Sequence, residues 1–265
     1  MLRLRVISAM VAIPIVLGAV YLGGLWFALL LLLILNLGMR EYAAMLKSAG
    51  ASLSPFIGYL GVSAILALIY CRADAWIFPL IILLFLALFT ATMACYPRVQ
   101  LWESALYLWG IIYLGGLGGF LLLIRQFSPA GMLFLIVLLV GVWANDSFAY
   151  FIGIKWGRHK LAPSVSPNKS IEGAVAGIGG TMLLGAAAAL FLPRLLPLGL
   201  VQVLLLAAGI AVFAQLGDLM ESALKRQFKV KDSGHLIPGH GGIMDRIDSV
   251  IVAAPFVYYF MIFGG

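Results

Sequence analysis

Long apolar runs, separated by short polar breaks, dominate this chain. Stretches such as 25–35 and 78–88 hold no charged side chain and do not alternate between apolar and polar residues. A membrane-spanning helix needs about 20 apolar residues, whereas the strands of a membrane barrel alternate, so the pattern predicts an all-α integral membrane protein. We expect about nine transmembrane helices, near residues 6–22, 25–46, 56–71, 75–96, 104–124, 131–152, 173–192, 200–220 and 247–263.

These helices fall into two regions. Residues 1–130 hold N-terminal transmembrane helices, and residues 131–265 form a C-terminal catalytic region with two long polar segments, 153–172 and 218–246. The first apolar run follows the sequence MLRLRV and could pass for a signal peptide, but no small-residue cleavage site follows it before the next span. We therefore expect the first helix to be retained.

Composition and charge agree with a membrane protein. Hydrophobic residues make up 64% of the chain and charged residues only 10%, where soluble domains hold about a quarter charged residues. If the N-terminus is cytoplasmic, fourteen of the 17 Lys and Arg residues fall in cytoplasmic segments, as the positive-inside rule requires. We therefore attribute the net charge of +7 to membrane topology and expect no nucleic-acid partner. Both long polar segments then face the cytoplasm.

Residues 218–248 contain an unusual mixture of charges. Of the chain's 17 basic and 10 acidic residues, five basic and five acidic ones lie in this segment. Topology accounts for basic side chains, but not for interleaved acids or for the glycines of PGHGG. Carboxylates hold Mg²⁺ beside phosphate groups, Lys and Arg neutralise phosphate charge, and glycines let the backbone approach phosphate closely. The segment therefore predicts a site for a polyphosphate substrate.

Two helix ends supply the candidate metal ligands. Asp218 directly follows an apolar run, and Ser222 and Lys225 lie on the same face of a helix that continues from it. Asp245 and Asp248 begin the last span on one face, where helix capping is the alternative explanation. If the two helix ends meet at the cytoplasmic interface, Asp218 and Asp245 can share one metal ion.

The other polar stretch covers residues 145–173. Asp146 lies late in a predicted span, where an ionisable residue is costly and usually functional. The remainder is too polar to cross the membrane, so we expect a re-entrant or interfacial loop that binds an anionic headgroup or nucleotide phosphates. A basic cytoplasmic loop that binds nothing is the alternative.

Residues 222–248 read SALKRQFKVKDSGHLIPGHGGIMDRID. This stretch resembles the signature of a known family, the phosphatidate cytidylyltransferases or CDP-diacylglycerol synthases. The signature is S-x-x-K-R, then K-D, a small residue, a short apolar step and H-G-G-x-x-D-R-x-D, and the chain shows no departure from it. Upstream, D-x-x-A-Y-x-x-G at 146–153 and S-P-x-K-S-x-E-G at 166–173 also resemble that family. The resemblance is sharp over residues 145–248 and looser over the remainder.

This resemblance implies a reaction and its partners. CTP and phosphatidic acid would give CDP-diacylglycerol and pyrophosphate, for phospholipid biosynthesis at the cytosolic face of the inner membrane. The implied cofactor is Mg²⁺, with a second cation, monovalent or divalent, left open. The implied partners are CTP, phosphatidic acid and membrane lipids, and a homodimer is left open. No general base is required, because the attacking phosphate is already ionised.

The resemblance also implies roles for individual residues. The predicted metal ligands are Asp218, Asp245 and Asp248, with Asp232 as an alternative helper. The predicted catalytic residues, which contact phosphates or form the turn beside them, are Lys225, Arg226, Lys231, Asp232, His240 and Arg246. The predicted residues for holding the nucleotide or the lipid phosphate are Ser166, Lys169, Ser170, Ser222, Gly241 and Gly242.

Two other functions stay open at this point. A CTP-dependent lipid kinase would use similar parts, but it would transfer the γ-phosphoryl group and release CDP. A membrane transporter would place polar interruptions near mid-membrane in repeated positions. The charges instead crowd at one face of the C-terminal half and no repeat is visible, which disfavours transport.

Overall fold

A computed structural model describes residues 2–194, 198–234 and 241–264, with the side chains in those ranges other than residues 2–7 and 9. The α-helices are α1 (Leu2–Leu22), α2 (Gly24–Ser48), α3 (Phe56–Tyr70), α4 (Ile77–Cys95), α5 (Leu101–Gly110), α6 (Gly118–Gln126), α7 (Gly131–Trp156), α8 (Ile171–Phe191), α9 (Leu200–Gln227) and α10 (Met244–Phe263). A π-helix, Ile111–Leu117, joins α5 to α6. Strands β1 (Lys160–Ala162) and β2 (Ser166–Ser170) form an antiparallel hairpin between α7 and α8.

Each predicted span coincides with one helical segment, if α5, the π-helix and α6 are taken as one. Seven of the described helical segments are long and apolar enough to cross a membrane, while α3 and the apolar part of α1, Met10–Leu22, are shorter. The predicted class, an all-α multi-pass membrane protein, is therefore confirmed. The count of nine spans and the orientation stay predictions. Helices α7 and α9 continue past their predicted ends, so polar residues near those ends lie on regular helix.

The chain divides into two compact units. Unit 1 contains Met1–Gln126 and Gln227–Asp245, and unit 2 contains Phe127–Arg226 and Arg246–Gly265. The core of unit 1 is formed by apolar side chains of α2, α3 and the π-helix, among them Leu35, Ile65 and Ile111, which are at most 1% exposed. Because lipid is as apolar as these side chains, close packing between the helices is the main stabilising contribution here.

Polar side chains hold three helices of unit 2 together. Helix α8 packs closely on α7 through small residues, and a side chain at Gly177 would lie 2.5 Å from the Asn145 Oδ1 atom of α7. From α9, the Gln215 amide Nε2 donates to Asn145 Oδ1 at 2.8 Å and to the Ala174 carbonyl at 2.9 Å. One amide network therefore connects α7, α8 and α9. In the sequence, Asn145 and Gln215 of this network lie just before Asp146 and Asp218.

Candidate active site

Three aspartates of unit 2 form a group in which one lies near each of the other two. They are Asp146 in α7, Asp218 in α9 and Asp248 in α10, and the charge of Asp218 acts on both of the others. Helices α9 and α10 approach closely at Gly217, where an added Cβ would lie 2.5 Å from the Asp248 carbonyl oxygen. The sequence thus places Asp218 directly after a point of close approach between the two helices. Two of the three predicted metal ligands are therefore neighbours in unit 2.

Asp218 is paired with residues that the sequence assigns to phosphate binding. The Lys169 ammonium lies 2.6 Å from Asp218 Oδ2, and the Ser222 hydroxyl donates to Asp218 Oδ1 at 3.4 Å. The side chains of Lys169 and Asp218 are 26% and 40% exposed, so solvent and solutes can reach the pair. Strand β2 and helix α9 therefore place three predicted site residues in one accessible cluster.

Asp248 lies in a more buried part of the same cluster. Only 6% of the residue is exposed, its side chain is hydrogen-bonded to that of Glu221, and the charges of Asp218 and Lys225 act on it. The Lys225 ammonium donates to Glu221 Oε2 at 2.9 Å, one helical turn away on α9. Buried charges are retained only with partners of opposite charge. Lys225, a predicted phosphate-binding residue, therefore also neutralises the 1% exposed Glu221.

The stretch that the sequence predicts to be a loop is a short hairpin held by Glu172. The backbone N–H groups of Arg158 and His159 donate to the Glu172 carboxylate at 3.0 and 3.2 Å, and His159 Nδ1 lies 2.6 Å from Glu172 Oε1. The Ile171 N–H donates to the His159 carbonyl at 2.9 Å and closes the base of the hairpin. These bonds give the polar segment a fixed shape.

Two further site predictions lie on or beside this hairpin. The Ser170 hydroxyl is buried and accepts the Gly173 N–H at 3.1 Å, which makes Ser170 the N-cap of α8. The Arg226 guanidinium Nε donates to the Val165 carbonyl at 3.3 Å and so connects α9 to the hairpin turn. Ser166 is half-buried in β2. Contacts of these residues with substrate stay predictions.

Asp245 lies in unit 1, where protein donors surround one of its oxygens. Asp245 Oδ2 accepts the Ser233 N–H at 3.3 Å, the Ser233 hydroxyl at 2.9 Å and the Gly242 N–H at 2.9 Å. The chain turns at Gly241, whose φ of +80° lies in the left-handed region that favours glycine. The structure therefore brings Asp245, Gly241 and Gly242 together in one turn.

The remaining predicted residues are distributed differently. Lys231, Asp232 and Arg246 are exposed. His240 lies outside the described residues, so its predicted role is not addressed. Asp218 and Asp245 belong to different units, and their sharing of one ion stays a prediction.

The donor set in unit 2 fits magnesium. Mg²⁺ prefers hard oxygen ligands, and proteins usually supply only one or two carboxylates while water and substrate phosphates complete the shell. Within residues 2–194, 198–234 and 241–264, no group of three or more His, Cys, Asp or Glu side chains forms a metal cage. In unit 2, Asp218 and Asp248 would supply these carboxylates.

Sequence reasoning missed three polar side chains that organise these clusters. Asn145 and Gln215 form the amide network of unit 2, where Asn145 Nδ2 also donates to Asp146 Oδ1 at 3.1 Å. Glu41 of α2 accepts hydrogen bonds from the segment that contains Asp245. For Asn145 and Gln215, the available signal was a polar residue within an apolar run, which is costly in a membrane and usually functional.

Carboxylates and lysines clustered at the ends of membrane helices suit an enzyme that binds phosphate groups together with a metal ion. A family model described as the cytidylyltransferase family matches residues 3–263, and the chain belongs to this family. The nucleotidyltransferase class expected from the sequence is thereby confirmed.

Several similar proteins are called phosphatidate cytidylyltransferases. The protein of that name in Bacillus subtilis is 35% identical to this chain, over 98% of this chain and 97% of the relative. A Synechocystis relative is 34% identical over 97% and 96% of the two chains. A Thermotoga maritima relative is 42% identical over 142 residues, which is 52% of each chain. The first two similarities extend over nearly the whole length of both proteins.

Proposed function

We propose that this protein is a phosphatidate cytidylyltransferase, which converts CTP and phosphatidic acid into CDP-diacylglycerol and pyrophosphate for phospholipid biosynthesis. The observation that supports it most strongly is the similarity to the Bacillus subtilis enzyme of that name over 98% of this chain. The cluster of Asp218, Lys169 and Lys225 supports it chemically, because two anionic substrates must approach each other in this reaction.

In the proposed reaction, a phosphate oxygen of phosphatidic acid attacks the α-phosphorus of CTP. A new bond forms between that oxygen and the α-phosphorus, while the bond from the α-phosphorus to the oxygen shared with the β-phosphate breaks. Pyrophosphate leaves with the electron pair of the broken bond. Lys169, which is paired with the accessible Asp218, would exchange this partner for phosphate oxygens. Lys225 would keep its contact with the buried Glu221 and add positive charge nearby, so that both lysines reduce the repulsion between the substrates.

Asp218 and Asp248 are the residues of unit 2 that would hold a magnesium ion, and Asp245 is a further ligand proposed from the sequence. A bound Mg²⁺ would screen the triphosphate charge and stabilise the negative charge that develops at phosphorus. The protein contributes the positions of these carboxylates. It also contributes the lysines beside them.

The proposed location is the inner membrane, with nine spans and the N-terminus and active site on the cytosolic side. The two exposed cysteines test this topology, because it places Cys71 outside and Cys95 inside. In intact spheroplasts, a membrane-impermeant maleimide should label a Cys95→Ser variant, which retains Cys71, but not a Cys71→Ser variant. The reverse labelling would overturn the orientation.

A lipid-product assay tests the proposed reaction. Purified protein in detergent is incubated with CTP and Mg²⁺ and with either phosphatidic acid or diacylglycerol, and the lipids are identified by mass spectrometry. We expect CDP-diacylglycerol from phosphatidic acid and no new lipid from diacylglycerol. Phosphorylation of diacylglycerol, with release of CDP, would instead identify a lipid kinase.

A further inference from the structure

Glu41 is a buried carboxylate whose partners lie far away in the sequence. It belongs to α2 in unit 1, and only 4% of the residue is exposed. The Ile243 N–H donates to Glu41 Oε1 at 2.9 Å, and the Met244 N–H donates to Glu41 Oε2 at 2.9 Å. These donors are 202 and 203 residues away from Glu41. A membrane helix near the N-terminus therefore holds the segment that leads into the last helix.

The two donors are N–H groups at the start of α10. The first N–H groups of a helix lack partners inside the helix, and a nearby Ser, Thr, Asp or Asn usually accepts one of them. Here the acceptor is a carboxylate from another helix, whose negative charge also suits a helix N-terminus. The position at which α10 begins is therefore set by α2 and not only by its own flanking residues.

Two glycines of the segment pack directly against this carboxylate. An added Cβ at Gly234 would lie 2.5 Å from Glu41 Oε1, and one at Gly242 would lie 2.5 Å from Glu41 Oε2. Real Cβ atoms do not approach oxygen so closely, since protein interiors are already densely packed. At both positions, glycine therefore leaves room for Glu41.

Ser233 connects Glu41 to Asp245. Its hydroxyl oxygen lies 3.2 Å from Glu41 Oε2 and 2.9 Å from Asp245 Oδ2. A serine hydroxyl has a single proton and donates to one acceptor at a time, so the two carboxylates compete for the same donor. A change at Glu41 therefore reaches Asp245 through one side chain, as well as through the backbone of residues 242–244.

We infer that Glu41 is a positioning residue, which fixes Asp245 and the turn at Gly241 and Gly242 for the substrate triphosphate. The inference rests on the proposed function. Glu41 acts through Ser233 and through backbone N–H groups, and it needs no contact with the reacting atoms. Its loss should therefore affect the use of CTP more than the use of phosphatidic acid.

The chain offers a matched control in Glu103. This glutamate is also in unit 1, is 2% exposed, and accepts the Ser52 and Leu53 N–H groups at 2.6 and 2.8 Å. Changing either glutamate to glutamine places an amide NH₂ group against backbone donors and removes one negative charge. A general loss of stability should follow from both changes, whereas a loss of positioning at Ser233 and residues 241–245 should follow only from Glu41→Gln.

The experiment measures steady-state kinetics of the folded wild type, Glu41→Gln and Glu103→Gln proteins, with hydrogen exchange of residues 241–247. For Glu41→Gln we expect kcat/KM for CTP to fall about 10-fold or more, since small displacements of reacting groups are costly. The KM for phosphatidic acid should stay within about twofold, because the displaced segment positions the triphosphate. Exchange at residues 241–247 should be faster than in Glu103→Gln.

Parallel losses in both variants, or wild-type kinetics and exchange in Glu41→Gln, would overturn the inference. If Glu41→Gln does not fold, Glu41→Asp replaces it, because it keeps the charge but shortens the side chain. It should show the same CTP-specific defect, and wild-type behaviour would again overturn the inference. An inactive wild-type protein would refute the proposed function, while hydrogen exchange would still decide whether Glu41 holds the segment.

Discussion

Two polar segments that connect helices are held in place by a glutamate, but in different ways. In unit 2, the hairpin segment 157–170 is held by Glu172, which accepts N–H groups from residues 14 and 13 positions away. In unit 1, Ser233 and residues 242–244 are held by Glu41, whose N–H donors lie about 200 positions away. Glu172 has a 28% exposed side chain, whereas Glu41 is buried.

This difference separates local from long-range order. The hairpin closes a short loop, which costs little conformational entropy, and its strands pair with each other. The segment around Asp245 instead depends on the Glu41 carboxylate, which contacts it only when α2 has packed in place. We therefore expect substitutions in the hairpin to have local effects. Substitutions near Glu41 should disturb the packing of α2 on this segment and, through it, the enzymatic activity.

The largest effect on turnover is expected from a substitution at Asp245, in the segment that Glu41 holds. Replacing Asp245 with Asn keeps the size of the side chain but removes its charge, so turnover should fall at least about 1,000-fold if Asp245 helps to hold a catalytic metal ion. Size-exclusion chromatography should show a folded protein. Asp74→Asn, an exposed change outside the site, should leave turnover unchanged. Activity near wild type in Asp245→Asn would remove Asp245 from the metal role.

A smaller effect is expected at the hairpin end that contacts Asp218. Lys169→Gln removes the cation that lies 2.6 Å from Asp218 Oδ2, and kcat/KM for the reaction should fall about 100-fold because one phosphate-stabilising charge is lost. Lys160→Gln, in the opposite strand of the same hairpin, provides the control for net charge. Equal losses in the two variants would show that Lys169 acts only through overall charge.

The smallest effect is expected from the hairpin's own glutamate. Glu172→Gln weakens the hydrogen bonds to the Arg158 and His159 N–H groups, so hydrogen exchange in residues 158–170 should become faster. Because the strand pairing remains, kcat/KM should fall only about threefold, less than in Glu41→Gln. A larger loss of activity in Glu172→Gln than in Glu41→Gln would reverse the proposed ranking of the two segments.

Apolar runs predict the helices well, because a membrane span must be long, apolar and internally hydrogen-bonded. The helical continuation beyond Asp218 was also predictable, since the spacing of Ser222 and Lys225 suits one helical face. The hairpin was not predictable in this way. Its strands are three and five residues long and contain Pro167 and Ser170, so they lack the alternation and β-branched residues of a typical strand.

The role of Glu41 shows what a single sequence leaves open. Beside Arg40 near the end of a span, it resembles an ordinary interfacial residue, and nothing nearby in the sequence indicates its partners. The contact depends on tertiary packing between residues about 200 positions apart. The proposed sharing of an ion by Asp218 and Asp245 also stays a prediction from the sequence.

The most direct test of the central claim follows the two ends of CTP. Purified protein with phosphatidic acid and Mg²⁺ is given CTP labelled at either the α- or the γ-phosphorus. Cytidylyl transfer predicts that the α label enters the lipid and that the γ label leaves as pyrophosphate. Entry of the γ label into the lipid, with the α label remaining in CDP, would contradict the account.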